Sequence, residues 1–563
     1  MTCLDIRTVP GSSGLIRDYV HAFDRLRAYY DRDPHAIGAF AEVAEICSRR
    51  DYRRDALRAA LLGPQTRWAA PSVTRRRIED LCAPNGLAVC TGQQTGLFGG
   101  PLFTLYKALT AVTLAARLER ELGRPVVPLF WMASEDHDVA EVDHVHLLDR
   151  GGHLSTLRHA AWGSPSGFMP ANLRLGPAIQ DTLRQVWDAL PATEFTGPLR
   201  ESLDQAYAPD RTLADAFARW MLSLIGDTGL VMVDAADPAL KRLAAGILRR
   251  EIEEAPRTSA AIAEVSRALR AQGYPAQIDA RPDGVNCFLL AGGRRALSRD
   301  AGGLKARDTG ELFPVAALSR MAEESPERFS PNVALRPVVQ DYLFPTLAYV
   351  AGPGELAYFA QLRPVYDAFD VPMPVIVPRA TLSLVEPRIA QLLHRFHLEL
   401  QDLVTEPEQL ASRILRAQLP PDLGATLATA RQDVEEIFRR VGEAIAAVDP
   451  TLKATAGQTG GHIKGHLDQL EKKAVQALKR READMGQQLQ RLRDALMPGG
   501  KLQERVYPLL PYLAKYGPTL VRLLRDHIRE PGWTHQLVAI ARDGEGREES
   551  GQTDRAREDR PLP

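Results

Sequence analysis

The polar run Ser134-Glu135-Asp136-His137-Asp138 follows directly on an apolar stretch, Pro125 to Ala133 (PVVPLFWMA). An apolar stretch of that length reads as a buried strand, and ligands of parallel sheets sit at the carboxyl ends of strands. Five consecutive polar residues there are costly to bury and are expected at a solvated site. A carboxylate beside an imidazole orients and activates it as a general base. Asp136 and His137 are therefore the acid–base candidates, with Asp138 either a third member or the group that orients His137. Ser134 and Glu135 are candidates for holding a ligand. Glu141, Asp143, His144 and His146 follow. His and Asp also ligate metals, but no H-E-x-x-H or Cys/His spacing accompanies them, so no metal is expected. A charged loop that only caps the next helix is the plain alternative.

A second candidate precedes it. Thr91-Gly92-Gln93-Gln94-Thr95-Gly96-Leu97-Phe98-Gly99-Gly100-Pro101 follows a short apolar run, Gly86 to Thr91. Glycines after a strand let backbone amides approach a ligand, and the following helix start favours an anion. Lys107, two turns into that helix, is placed to reach back towards it. The loop matches neither a Walker A nor a G-x-G-x-x-G pattern, so a plain strand–helix turn stays open beside a ligand site. In a third segment, Arg336 suits a carboxylate or phosphate clamp. Gly352 and Gly354 repeat the strand–glycine–helix arrangement, and Glu355 is either a site residue or an ordinary helix-start carboxylate. A fourth group, Gln503, Glu504, Arg505, Tyr507, Lys515 and Tyr516, gathers charge and aromatic faces near a junction between units, where a second, nucleotide-binding pocket is expected.

The elements that must position these residues form an α/β pattern. Strand, glycine loop, helix over 101–122 and strand make a βαβ unit with a parallel pair. The pattern returns as a strand at 230–233, a helix over 238–250, a strand at 346–351, a helix over 355–369 and a strand at 374–377. Residues 1–385 thus read as a doubly wound parallel-sheet core with N-terminal helices over 15–60 and insertions at about 151–215 and 280–330. From Glu386 the period changes. Leu423, Leu427, Ala430, Val434, Ile437, Val441, Ile445 and Val448 step by three and four, and Leu467 to Leu496 carries a similar seam. Such spacing predicts an antiparallel α-helical coiled-coil arm over 386–500, turning at Pro450 and the TAGQTGG stretch. The seam closes either within one chain or between two, and a homodimer is expected. Residues 501–541 are expected to pack back on the core, and the polar residues 542–563 to be disordered.

The chain has 563 residues, 45% of them apolar, and a formal charge of −1. That balance gives no long-range attraction to nucleic acid or to an anionic membrane. Neither a signal peptide nor a membrane-spanning run is visible. Five scattered cysteines, with no C-x-x-C pair, argue against a disulfide framework. A cytoplasmic setting fits best.

Five stretches together resemble the bacillithiol-synthesis cysteine-adding family. They are Thr91 to Ala108, Phe130 to His144, Leu335 to Tyr358, Pro374 to Arg379 (PVIVPR) and Leu502 to Gly517 (LQERVYPLLPYLAKYG). The resemblance implies a Rossmann-like core with connecting insertions and a coiled-coil arm that supports dimers. It implies a ligase adding cysteine to glucosaminyl-malate, an amino-sugar malate conjugate, by amide-bond formation, with ATP or ADP at the protein. Such cores are similar to nucleotidylyltransferases and class I synthetases, which carry an H-x-G-H signature where this chain has Gln93, Gln94 and Gly96. A nucleotide- or sugar-binding scaffold without ligase chemistry, and a ligase for another amine, remain the alternatives.

Overall fold

A computed structural model describes residues 2–136, 139–148, 154–159, 162, 173–417, 421–481, 484–528 and 532–541; the tail expected to be disordered, 542–563, lies outside the described residues. The chain divides into two compact units, Met1–Glu386 with Lys501–Pro563, and Pro387–Gly500.

The larger unit is built on a five-stranded parallel sheet. Its strands are β1 (Leu87–Gln93), β2 (Val126–Met132), β3 (Val231–Asp234), β4 (Thr346–Ala351) and β5 (Val375–Pro378), in spatial order β5-β4-β1-β2-β3. In register, Cys90 of β1 stands between Leu129 of β2 and Tyr349 of β4. The strands are buried almost end to end, as a sheet covered on both faces requires. Successive side chains enter opposite cores. Ala88, Cys90, Val127 and Leu129 join one; Leu87, Val89 and Val126 join the other, with Ala111, Leu114 and Leu118 of α1 (Leu102–Leu122). After β3, helix α2 (Pro238–Glu254) starts on an Asp237 cap whose carboxylate accepts from the Ala239 and Leu240 amides. The chain then crosses to β4 through α3 (Arg336–Leu343), on the far side of β1. That crossing places a topological switch between β1 and β4, where a crevice opens at the strand ends. Helix α4 (Pro353–Phe359) follows β4. The single helix expected over 355–369 is two, because Arg363-Pro364 starts a new one, Arg363–Ala368.

The two insertions differ in kind. The first contains the hairpin His144–Leu148 and Leu154–Arg158, then helices Ile179–Ala189, Thr196–Ala206 and Leu213–Ile225. The second is an antiparallel sheet of its own. Gly284–Leu290 pairs with Arg294–Asp300 and Phe329–Pro331, and Gly303–Ala306 with Leu312–Phe313 and Arg294–Asp300. A third sheet joins distant parts of the sequence: Thr534–Ala539 pairs antiparallel with Thr2–Asp5 and parallel with Thr381–Val385.

The second unit is helical. Helices α5 (Pro421–Ala446) and α6 (Leu452–Arg481) form an antiparallel hairpin, held on its flank by Arg431 with Asp468 (2.9 Å) and Glu471, and by Lys464 with Glu435 (3.1 Å). The seam corrects the expected one. Ile437, Val441 and Val448 are exposed, while Gly442 and the partly buried Phe438 take the inner positions. The TAGQTGG stretch, expected to share the turn, is helical. Gly460 in it leaves room for the Phe438 side chain, whose Cβ and Cγ a Cβ there would meet at 2.9 and 3.0 Å. The reversal falls at the expected Pro450 alone, within Asp449–Thr451, where the Asp449 carboxylate accepts the Thr451 amide at 2.9 Å.

Candidate active site

The switch point holds a cleft of about 250 Å³. Gly92, Gln93 and Gln94 at the end of β1 line one side, and Tyr349 with Gly352–Glu355 at the end of β4 line another. Trp131, Ala133 and Asp136 close it from β2, Arg336 and Gln340 from α3, and Lys107 from α1. Arg379 and Arg505 complete the wall. The site expected between the β1 and β2 loops thus extends across the switch to β4.

Four cations face this cleft, but two are already committed. Lys107 is buried; its Nζ donates to the Gly92 carbonyl at 2.7 Å and to Gln93 Oε1 at 3.0 Å, and it forms an ion pair with Glu355. Burial lowers its pKa, with Glu355 opposing. Lys107 therefore ties the β1 loop to the β4 loop instead of reaching freely for an anion. Glu355 does more than start a helix: it accepts the Gly352 amide and the Tyr349 hydroxyl, each at 2.7 Å. Arg379 forms a two-pronged pair with Glu504 at 2.6 and 3.0 Å. Burial works against the Glu504 carboxylate, but the Arg379 guanidinium more than offsets it and holds its pKa below the usual value. Arg336 and Arg505 remain as the cations on which an incoming anion can draw.

Asp136 stands at the mouth of the cleft. Gln94 Nε2 donates to its Oδ2 at 3.0 Å, and Arg294 Nη1 lies 3.5 Å from its Oδ1. Trp131 is only 4% exposed, yet its indole N–H finds no hydrogen-bond partner among the described residues. A buried donor left unmatched costs about 1–3 kcal/mol. Gln340 is held from behind, its Nε2 donating to Asp341 at 2.9 Å.

Other sequence candidates have structural duties. His137 and Asp138 lie outside the described residues. Thr91 donates to the Val350 carbonyl at 2.9 Å and stitches β1 to β4. Gly96 serves the loop's own turn, for a Cβ there would meet Gly100 Cα at 2.9 Å. Ser134 is spent on Asp234, and Glu135 is buried against Lys241. The second pocket expected around residues 503–516 is replaced by a set of ties. Gln503 bonds both the amide and the carbonyl of Leu384 at 2.7 and 2.9 Å, as a strand neighbour would. Glu504 also accepts the Thr381 hydroxyl and the Leu382 amide. Tyr507 is buried in the core, while Lys515 and Tyr516 both engage Glu386. Of the six, Arg505 lines the principal cleft. Trp131, Gln340, Tyr349 and Arg379 were missed as site residues. Trp131, Tyr349 and Arg379 sit in or at the end of apolar runs, where a sequence shows core rather than cleft, and Gln340 lies beside Asp341 on a short helix with no glycine loop to mark it. Among the described residues no group of three or more His, Cys, Asp or Glu side chains has metal-holding geometry.

Comparison with known proteins agrees with this architecture. The model of the bacillithiol biosynthesis BshC N-terminal Rossmann-like domain matches residues 1–380, and that of the BshC C-terminal coiled-coil domain matches residues 382–540. A protein of Salinibacter ruber named "Putative cysteine ligase BshC" is 37% identical over 540 residues, 95% of this chain and 98% of its own length. The proteins of that name from Geobacillus kaustophilus and Bacillus cytotoxicus are 33% and 30% identical over 95% and 94% of this chain, and 100% and 98% of their own lengths. With a Rossmann-like sheet, a crevice at its switch point and a helical hairpin arm, the chain belongs to the BshC family of bacillithiol biosynthesis.

Proposed function

We propose that the chain is a cytoplasmic cysteine ligase that joins cysteine to glucosaminyl-malate through an amide bond. The observation that supports this most directly is the cleft itself. Asp136, oriented by Gln94 and Arg294, faces a pocket where Arg336 and Arg505 offer positive charge. Amide formation in water needs an activated carboxyl group and a neutral amine. ATP, when bound, supplies the carboxyl activation. Arg336 and Arg505 fit a phosphate or carboxylate. Asp136 fits the removal of the amine proton as the new bond forms, a role that His137 and Asp138 share in the sequence reading. The exposed stripe of Ile437, Val441 and Val448 supports pairing of two chains through the hairpin arm.

The test is incubation of purified protein with cysteine, ATP and glucosaminyl-malate, with thiol product read by mass spectrometry and nucleotide product as AMP or ADP. Product is expected from the wild type, and about 10²- to 10⁴-fold slower formation from Asp136→Asn with ligand binding retained. Binding without product from the wild type would support a scaffold, and product from other amines only would replace the acceptor.

A further inference from the structure

A second cavity, of about 460 Å³, opens on the β2–β3 side of the strand ends, between Glu135, Ala235 and the antiparallel insert. Ala133, Asp136 and Arg336 line both this chamber and the cleft, so the two meet at those residues. The chamber's own wall is built from polar groups held in place. Arg294 is 9% exposed; it packs over the Phe288 ring at 4.2 Å, donates to Ser330 Oγ at 3.2 Å and approaches Asp136. The Asn332 side-chain amide donates to Asn286 Oδ1, and that of Asn286 to Thr258, both at 2.9 Å. The Asn332 carboxamide oxygen accepts the Ala334 and Leu335 amides, and its backbone carbonyl the Arg336 amide, which fixes the start of α3 and with it Arg336.

The charge in the chamber is lopsided. Arg281, Arg294, Arg307 and Arg336 line it with Glu135, Asp136 and Asp279; Arg281 is paired with Asp283 and Arg294 with Asp136, which leaves Arg307 and Arg336 in excess. Glu135 is already matched by Lys241, and burial raises its pKa. Guanidinium forks suit carboxylates, and the fixed asparagine amides suit hydroxyl groups.

We infer that this chamber binds a hydroxylated amine carrying carboxylates, while the cleft binds the amino acid that is joined to it. The inference rests on the proposed ligase reading and divides its two substrates between two cavities. Arg294 and Arg336 hold the carboxylates, with Arg307 at the exposed rim drawing them in. Asp136 borders both spaces, so the amine passes the carboxylate that takes its proton as it reaches the cleft.

Calorimetry with L-malate and with glucosaminyl-malate tests this on the full chain. The wild type is expected to bind both. The exposed-rim variant Arg307→Ala and the conservative Arg294→Lys are expected to lose roughly tenfold or more in affinity for both, whereas the cleft variant Arg505→Ala keeps acceptor binding. No binding of either acid by the wild type, or equal binding by the rim variant, overturns the chamber. Malate binding that weakens in the variants, without conversion of glucosaminyl-malate, keeps the chamber and sinks the proposed reaction. Conversion accompanied by unaltered binding in the variants keeps the reaction and sinks the chamber.

Discussion

Glu251, on α2 behind the insert-lined chamber, accepts the Thr258 hydroxyl at 2.8 and 3.1 Å and the Asn286 amide at 2.6 Å. Burial pushes its carboxyl up to about 7 from an ordinary value of 4.5. Between those values the folded protein holds a proton that the unfolded chain releases. Its contribution is therefore complete at low pH and is lost as pH rises through 7, by up to about 3 kcal/mol. Glu251→Gln keeps an acceptor for Asn286 and a donor for Thr258 without the charge. Urea-unfolding midpoints of the wild type are expected to fall more between pH 5 and 8 than those of the variant, and identical slopes would refute the assignment. Glu251 drew no notice in the sequence, because a glutamate in a helix full of arginines and glutamates reads as a solvated face. Asp136 and Gln94 were legible, standing in polar runs directly after apolar strands. Arg294 was not: its neighbours Arg295 and Arg299 have the same letter, and only the pairing of the insert turns Arg294 towards Asp136.

At the scale of elements, the loop between β1 and α1 carries an unusual share of left-handed backbone. Phe98, Gly99 and Gly100 have φ of +53°, +95° and +69°. A Cβ on Gly99 would also meet the Trp220 indole at 3.1 Å. Gly99→Ala is thus expected to destabilise by about 1–3 kcal/mol and to loosen the loop that presents Gly92 to Gln94. A thermal midpoint and turnover both equal to wild type would contradict this. The parallel strands could be read from sequence because a strand buried on both faces is an apolar run, as GLAVCT, PVVPLFWMA and TLAYVA are. The strands of the insert could not. Arg294–Asp300 mixes charge with apolar residues, being half exposed, and Phe329–Pro331 is three residues long. The chamber wall therefore stayed hidden while the cleft floor was visible.

At the scale of the molecule, the arm's outer stripe is the feature that asks for a partner. Ile437 and Val441 are 52% and 43% exposed on the outer face of α5, and Val448, in the turn after it, is 83% exposed. If the arm pairs two chains as proposed, Ile437→Lys with Val441→Lys is expected to give a monomer in solution where the wild type gives a dimer, without loss of helix content. A dimer of unchanged mass by light scattering would place the interface elsewhere. The alternation of threes and fours made the hairpin legible, but not which residues it leaves outside, since that depends on where glycines let two helices close. The sheet that joins Thr2–Asp5 to Thr534–Ala539 carries a different consequence, one of time. A ribosome adds about 5–20 residues per second, so the first strand leaves the tunnel roughly half a minute to two minutes before its neighbour is made. Through that interval Thr2–Asp5 has no sheet partner, because Thr534–Ala539 is the strand that joins it to Thr381–Val385.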